Sequence, residues 1–128
     1  MSTLQRILYV EDEPDIQAVA RIALEMVGGF QVLVCSSGEQ AVREAQAFAP
    51  DLVLLDVMMP GMDGPGTFKA LRALPALARV PVIFMTAKVQ PQEVQHYTAL
   101  GALAVIPKPF DPMTLAAQVR SVWGDHHE

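Results

Sequence analysis

Short unbroken apolar runs alternate along the chain with longer segments in which apolar residues return every three or four positions. Ile7-Leu8-Tyr9-Val10, Phe30–Cys35 (apolar but for Gln31), Leu52-Val53-Leu54-Leu55, Val82-Ile83-Phe84-Met85 and Leu103-Ala104-Val105-Ile106 have strand length. Aliphatic runs without alternation suit parallel strands covered on both faces. After the first run, Ile16, Val19/Ala20, Ala23 and Met26/Val27 recur at helical spacing up to Gly28-Gly29, a helix stop. A second helix is predicted from Ser37, an N-cap that Gln40 completes as a capping box, with Ala41/Val42, Ala45 and Phe48/Ala49 on its buried side. Pro50 breaks it. Phe68, Leu71 and Leu74 mark a third helix, with Asp63 as its cap and Pro65 in its first turn. A fourth begins near Pro91, carries Val94, Tyr97 and Leu100, and closes at Gly101. Leu115, Val119, Val122 and Trp123 face the core from a fifth.

The pattern is a strand followed by a helix, five times, without linker or repeat. Right-handed crossovers make this an α/β doubly wound parallel sheet, because five units are too few for a closed barrel. At 128 residues, 52% of them hydrophobic, it reads as one domain over 1–128. A chain of that size buries roughly 65–70% of its unfolded surface and needs no crosslinks. The stretch 124–128, Gly-Asp-His-His-Glu, is expected to be a disordered tail, and no output domain is expected beside the sheet.

The ends of the strand-like runs carry the chemistry. Asp56 closes the third run, Glu11-Asp12 follow the first, Thr86 follows the fourth and Lys108 stands just after the fifth. Ligands of open α/β sheets bind at the carboxyl ends of strands. Acids, a hydroxyl and an amine on that edge make a phosphoryl site the leading reading. Each residue alone has a plainer explanation: Asp56 as a turn residue, Glu11-Asp12-Glu13 as a helix N-terminal charge cluster, Thr86 and Lys108 as solvated strand ends. Together they favour function.

Charge and the remaining residues narrow the classes. The net charge of −5 disfavours a nucleic-acid partner. No apolar run approaches the ~18 residues of a membrane span, and Ile7–Val10 runs into acids instead of forming a signal-peptide core. Cys35 is the single cysteine and reads as a small buried hydrophobe. A cytoplasmic protein is expected. Met58, Met59 and Met62 read as loop packing, His96 as a surface residue, and His126-His127 as too short a cluster for a metal site.

These marks, in this order, resemble the receiver domain of two-component response regulators of the single-domain, chemotaxis type. They are Glu11-Asp12 after strand one, Leu-Leu-Asp56-Val-Met-Met-Pro-Gly-Met-Asp-Gly, Thr86-Ala87 after strand four and Lys108-Pro109-Phe110 after strand five. The resemblance covers almost the whole chain. It implies a flavodoxin-like sheet in the order 2-1-3-4-5, which places Pro107 at an edge where a missing N–H is tolerated. It also implies that Asp56 accepts a phosphoryl group from a histidine kinase or histidine phosphotransfer protein. The implied cofactor is Mg2+, held by Asp12, Asp56 and the Met58 carbonyl, with Glu11 acting through water. Lys108 would pair with Asp56 and then with the phosphoryl oxygens, and Thr86 would donate its hydroxyl. A cis Lys108–Pro109 bond is a family feature.

The implied output is protein binding through the face of helix four, strand five and helix five, by a monomer. Val105 stands where many receivers have an aromatic switch residue, so the coupling is expected to run through the loop after Thr86 and the fourth helix. Met58, without a strong hydrogen-bonding group, favours slow loss of the phosphoryl group. Three other readings compete. A haloacid-dehalogenase-type phosphohydrolase would need an acid where Met58 stands; a pseudo-receiver adaptor is opposed by the complete Asp12, Asp56, Thr86 and Lys108 set; the third is a receiver fragment of a larger regulator. Met1 and the polar ending favour a complete chain over the fragment.

Overall fold

Each of the five apolar runs becomes a strand. The computed structural model describes residues 3–127, with β1 at Arg6–Val10, β2 at Gln31–Cys35, β3 at Leu52–Asp56, β4 at Val82–Thr86 and β5 at Ala104–Pro107. All neighbours are parallel and lie in the order β2-β1-β3-β4-β5. The interior strands β1, β3 and β4 are buried almost throughout, whereas β2 and β5, at the edges, are only partly so. Pro107 therefore falls on an edge strand, as its missing N–H demands.

Strand alternation divides the interior in two. Leu8, Val10, Val53, Leu55 and Phe84 face one layer of helices, α2 (Gly38–Phe48), α3 (Gly64–Arg72) and α4 (Pro91–Leu100). Ile7, Tyr9, Leu54, Ile83 and Met85 face the other layer, α1 (Pro14–Ile22) and α5 (Leu115–His127). Phe84 lies at the centre of the first layer, with Phe68 and Tyr97 edge-on at 5.7 and 5.3 Å between ring centroids.

The helix starts follow local chemistry. Ser37 Oγ accepts the Gln40 N–H at 3.1 Å. Gln40 Oε1 in return takes the Ser36 N–H at 2.8 Å, one residue before the donor that a capping box uses. Asp63 Oδ1 accepts the Gly66 N–H at 2.8 Å and caps α3 as expected. Prolines stand in the first turns of α1, α3 and α4, where no intrahelical N–H is lost.

Several expectations change. The core stripe of α1 and the turn that follows it is Ala20, Ala23 and Leu24, while Val19 is 44% exposed and Met26 80% exposed. Ala20, Ala23 and Leu24 share one face at i, i+3 and i+4, which leaves Val19 outside it, and Met26 lies exposed in a π-helical turn at Ala23–Val27. Leu74 lies beyond the end of α3, and Leu100 faces outward. Gly124–His127, expected as a disordered tail, instead continue α5, and Glu128 lies outside the described residues. That stretch contains no proline, and one glycine costs a helix only about 1 kcal/mol. No helix among the described residues is long and apolar enough to cross a membrane.

Gly64 shows how tightly the loop after β3 is closed. A Cβ there would stand 2.6 Å from the Asp56 carbonyl oxygen and 2.7 Å from the Val57 Cα, and neither backbone atom can yield cheaply. Gly64→Ala is expected to cost about 1–3 kcal/mol, read as a lower urea midpoint at unchanged slope. An unchanged midpoint would show that this loop has slack.

Candidate functional site

Parallel pairing puts the last residue of every strand on one edge of the sheet, and the order places β1 and β3 side by side there. The chain leaves these two strands toward opposite faces, α1 on one and α3 on the other. A crevice opens at such a reversal. Glu11 and Asp12 follow β1, Asp56 ends β3 and Thr86 ends β4. Lys108, just past β5, is tied to its neighbour by its N–H, which donates to the Thr86 carbonyl at 2.9 Å. The Lys108–Pro109 peptide bond is cis.

The side chains converge. Lys108 Nζ lies 2.9 Å from Glu11 Oε1 and 3.0 Å from Asp56 Oδ1. Glu11 is fully buried and Asp56 only 3% exposed, while Asp12 is half-buried. Glu11, Asp12 and Asp56 each bring one carboxylate oxygen within 4.8 Å of the others. Three hard oxygen donors so close suit a small divalent cation. Thr86 is buried beside them, and its Oγ1 accepts the Lys88 N–H at 3.1 Å. The same hydroxyl retains a proton to donate. Met58 is exposed in the loop after β3, and Ala87 is exposed after β4.

Burial holds the Asp56 carboxyl above its usual range, with Lys108 pulling the other way and Asp12 adding to the rise. Glu11 is raised for the same first reason, again against the pull of Lys108. Burial alone would lower Lys108, but its bonds to Glu11 and Asp56 outweigh that, so the ammonium is held above its ordinary value. The carboxyl shifts carry a sign. A raised folded-state pKa means that the native protein binds the extra proton, so ionising Asp56 costs stability once pH rises above its ordinary value of 3.8. An amide in place of this acid has no such cost. In EDTA, Asp56→Asn is therefore expected to gain stability over wild type as pH is raised from the ordinary carboxylate range to neutrality. Urea midpoints that keep a constant difference across that range would refute the raised pKa.

Of the strand-end residues singled out from the sequence, Glu11, Asp12, Asp56 and Lys108 meet here, and Thr86 ends the neighbouring strand β4. Asp63 caps a helix outside the cluster, and His96 lies exposed on α4. Cys35 is fully buried, its thiol pushed up to about 12, first by burial, which makes it unreactive.

Two neighbours of the site were not found by sequence reasoning. The Tyr9 hydroxyl, buried in β1, donates to Glu11 Oε1 at 3.4 Å. Burial first, then the Glu11 charge, raise its pKa far above the ordinary value, so it stays protonated. Gln17 Nε2 donates to the Glu11 carbonyl and, at 3.0 Å, to Ser36 Oγ. A signal for Tyr9 was present: it lies two residues before Glu11, on the same strand face, and a buried phenol needs a partner.

A doubly wound α/β sheet with an acidic pocket at its strand-order reversal is a common frame for signalling and nucleotide chemistry. The comparison with known families specifies which one. The response regulator receiver domain matches residues 7–120, and the chain belongs to that family. It is 39% identical over 117 residues to the DNA-binding response regulator MtrA of Mycolicibacterium smegmatis, covering 91% of this chain and 50% of that protein. It is 35% identical over 118 residues to the alkaline phosphatase synthesis transcriptional regulatory protein PhoP of Bacillus subtilis, covering 92% and 48%. The chain thus spans about half the length of these curated relatives. Among solved structures, the chemotaxis response regulator CheY4 of Vibrio cholerae superposes with a TM-score of 0.86 at 30% identity, covering 94% of this chain and 99% of that one. Receiver domains are signalling switches of two-component systems, generally not enzymes, and they interact with histidine kinases and downstream effectors.

Proposed function

We propose that this receiver takes a phosphoryl group onto Asp56 from a phosphohistidine of a sensor kinase or histidine phosphotransfer protein, and signals by binding another protein. The observation that carries this reading is the clamp of Lys108 on Asp56 and Glu11, with Asp12 beside them. An Asp56 carboxylate oxygen forms the new bond to phosphorus while the bond from phosphorus to the histidine nitrogen breaks and the imidazole leaves with the electron pair. Two unit charges ~4 Å apart repel by about 4 kcal/mol at an effective dielectric of about 20, so an anionic group meets a real barrier here. Mg2+ held by Asp12, Asp56 and the Met58 carbonyl, with Glu11 behind them, would supply the neutralising charge. Lys108 follows the charge from the Asp56 carboxylate to the phosphoryl oxygens, a change of partner that a compact ammonium on a flexible stem allows. Thr86, whose hydroxyl accepts the Lys88 N–H, donates its own proton to a phosphoryl oxygen.

Thr86 leads directly into the loop before α4, so its movement biases the populations of α4 and the neighbouring β5–α5 face. Val105 on β5 is half-buried and in register with Phe84, which leaves the Phe84–Tyr97 contact as the aromatic link from β4 to α4. The switch is read as monomeric and cytoplasmic, with a slow loss of phosphate because Met58 orients no water. A second reading has its own observation: the relatives about twice this length are a DNA-binding response regulator and a transcriptional regulatory protein, which fits a receiver that controls an attached output domain. With a net charge of −5, DNA contact is not assigned to this module.

Incubation with acetyl phosphate and Mg2+ is expected to add one phosphoryl group, seen by intact mass, and EDTA is expected to suppress it. Equal labelling in EDTA would remove the metal from the reading, and no labelling from any donor would remove the acceptor role.

A further inference from the structure

The geometry points to Tyr9 as a positioning residue that holds the Glu11 carboxylate in the acidic cluster once Lys108 has turned to a bound phosphoryl group. This rests on the phosphoryl-acceptor reading above. Tyr9 is fully buried, its ring among Leu54, Met85 and Leu115 in the α1–α5 layer. A phenol in such surroundings is costly unless its hydroxyl is bonded. The bond it makes is to Glu11 Oε1 at 3.4 Å, long for a hydroxyl donor. The same oxygen takes the Lys108 ammonium at 2.9 Å. In the resting arrangement Lys108 dominates and Tyr9 stands second.

Phosphorylation reverses that order. Lys108 cannot serve the phosphoryl oxygens fully and still hold Glu11 as it does at rest. Glu11 has no exposed surface at rest, so once the ammonium moves its oxygens depend on the protein donors around them and on any water carried by a bound Mg2+. The Glu13 N–H, at 3.3 Å, serves the other oxygen, Oε2. Tyr9 is then the fixed donor for Oε1, and a charged oxygen left buried without a donor is heavily penalised. Its backbone is well placed to stay still, because it pairs with Val34 on one side and Leu54 on the other. Glu11 is also anchored, with its N–H on the Cys35 carbonyl and its carbonyl on Gln17. A side chain one methylene shorter at this position would fall about 1.5 Å short of the phenol. The Tyr9 contact is therefore specific to the longer acid.

The test is a Mg2+ titration by calorimetry, with and without beryllium fluoride as the phosphoryl mimic, on wild type, Tyr9→Phe, Glu11→Asp and the double variant. Tyr9→Phe is expected to weaken Mg2+ binding about three- to tenfold with the mimic and less than twofold without it, and to lose this effect in the Glu11→Asp background. Thermal unfolding in EDTA should leave Tyr9→Phe within a few degrees of wild type, since Lys108 still holds Glu11 there. No weakening, equal weakening with and without the mimic, or the same loss beside Glu11→Asp would overturn the inference. If wild type neither accepts phosphate nor binds Mg2+, the acceptor reading itself fails; if it does both and Tyr9→Phe matches it, only the role of Tyr9 falls.

Discussion

Asp56→Asn is expected to abolish the phosphoryl adduct formed from acetyl phosphate and Mg2+, while the protein remains folded. Asn preserves the shape of the side chain and can still meet Lys108 through its carbonyl oxygen, but it lacks the anionic oxygen that attacks phosphorus. Asp56 occupies a place that its two neighbours do not share. It is the last residue of the central strand β3, nearly closed to solvent, with Lys108 at 3.0 Å to stabilise the charge. Glu11 is deeper, shared between Lys108 and Tyr9, and Asp12 lies more open. The loss should therefore be complete and not graded. Intact mass decides it: an adduct forming on Asp56→Asn at the wild-type rate would move the acceptor to another side chain.

Lys108→Met should damage the metal-free protein more than any other change at the site. It leaves the buried Glu11 and Asp56 carboxylates facing each other without their cation. Stripping one partner from a buried pair costs about 3–5 kcal/mol, and the 17% solvent access of the Lys108 side chain reduces that to about 2–4 kcal/mol here. The loss should be largest at neutral and higher pH. It should shrink as pH falls toward the ordinary carboxylate range, where the two raised acids take up protons and no longer repel. Added Mg2+ should restore part of it, because an ion that binds only the native state stabilises by mass action. Urea unfolding in EDTA at two pH values, then with Mg2+, reads all three effects. A variant as stable as wild type in EDTA at neutral pH would show that the clamp contributes nothing to the fold.

Much of this molecule is visible in one dimension. The runs that form β1, β3 and β4 are strands because four or more consecutive apolar residues are buried only between two helical layers, and the two other runs pair along the edges of that sheet. Ser37, Asp63, Pro91 and Gly101 mark helix ends through bonds to near neighbours and backbone freedom, so they too are local. The expectations that failed needed information from elsewhere. Val19 and Met26 fit a helical repeat, yet the packed sheet takes the face of Ala20, Ala23 and Leu24 instead. The polar ending looked like a free tail, but α5 carries on through it.

Residue order alone thus settled the alternation of strands and helices, the caps, and which reactive side chains stand at strand ends. Those depend on periodicity and on interactions a few residues long. The packed sheet decided the rest: that β1 lies between β2 and β3, that positions 97 residues apart meet at 2.9 Å across Lys108 and Glu11, and that Tyr9 reaches beneath the acid. Strand adjacency and side-chain encounter are set by how two helical layers cover one twisted sheet, and no local repeat encodes that.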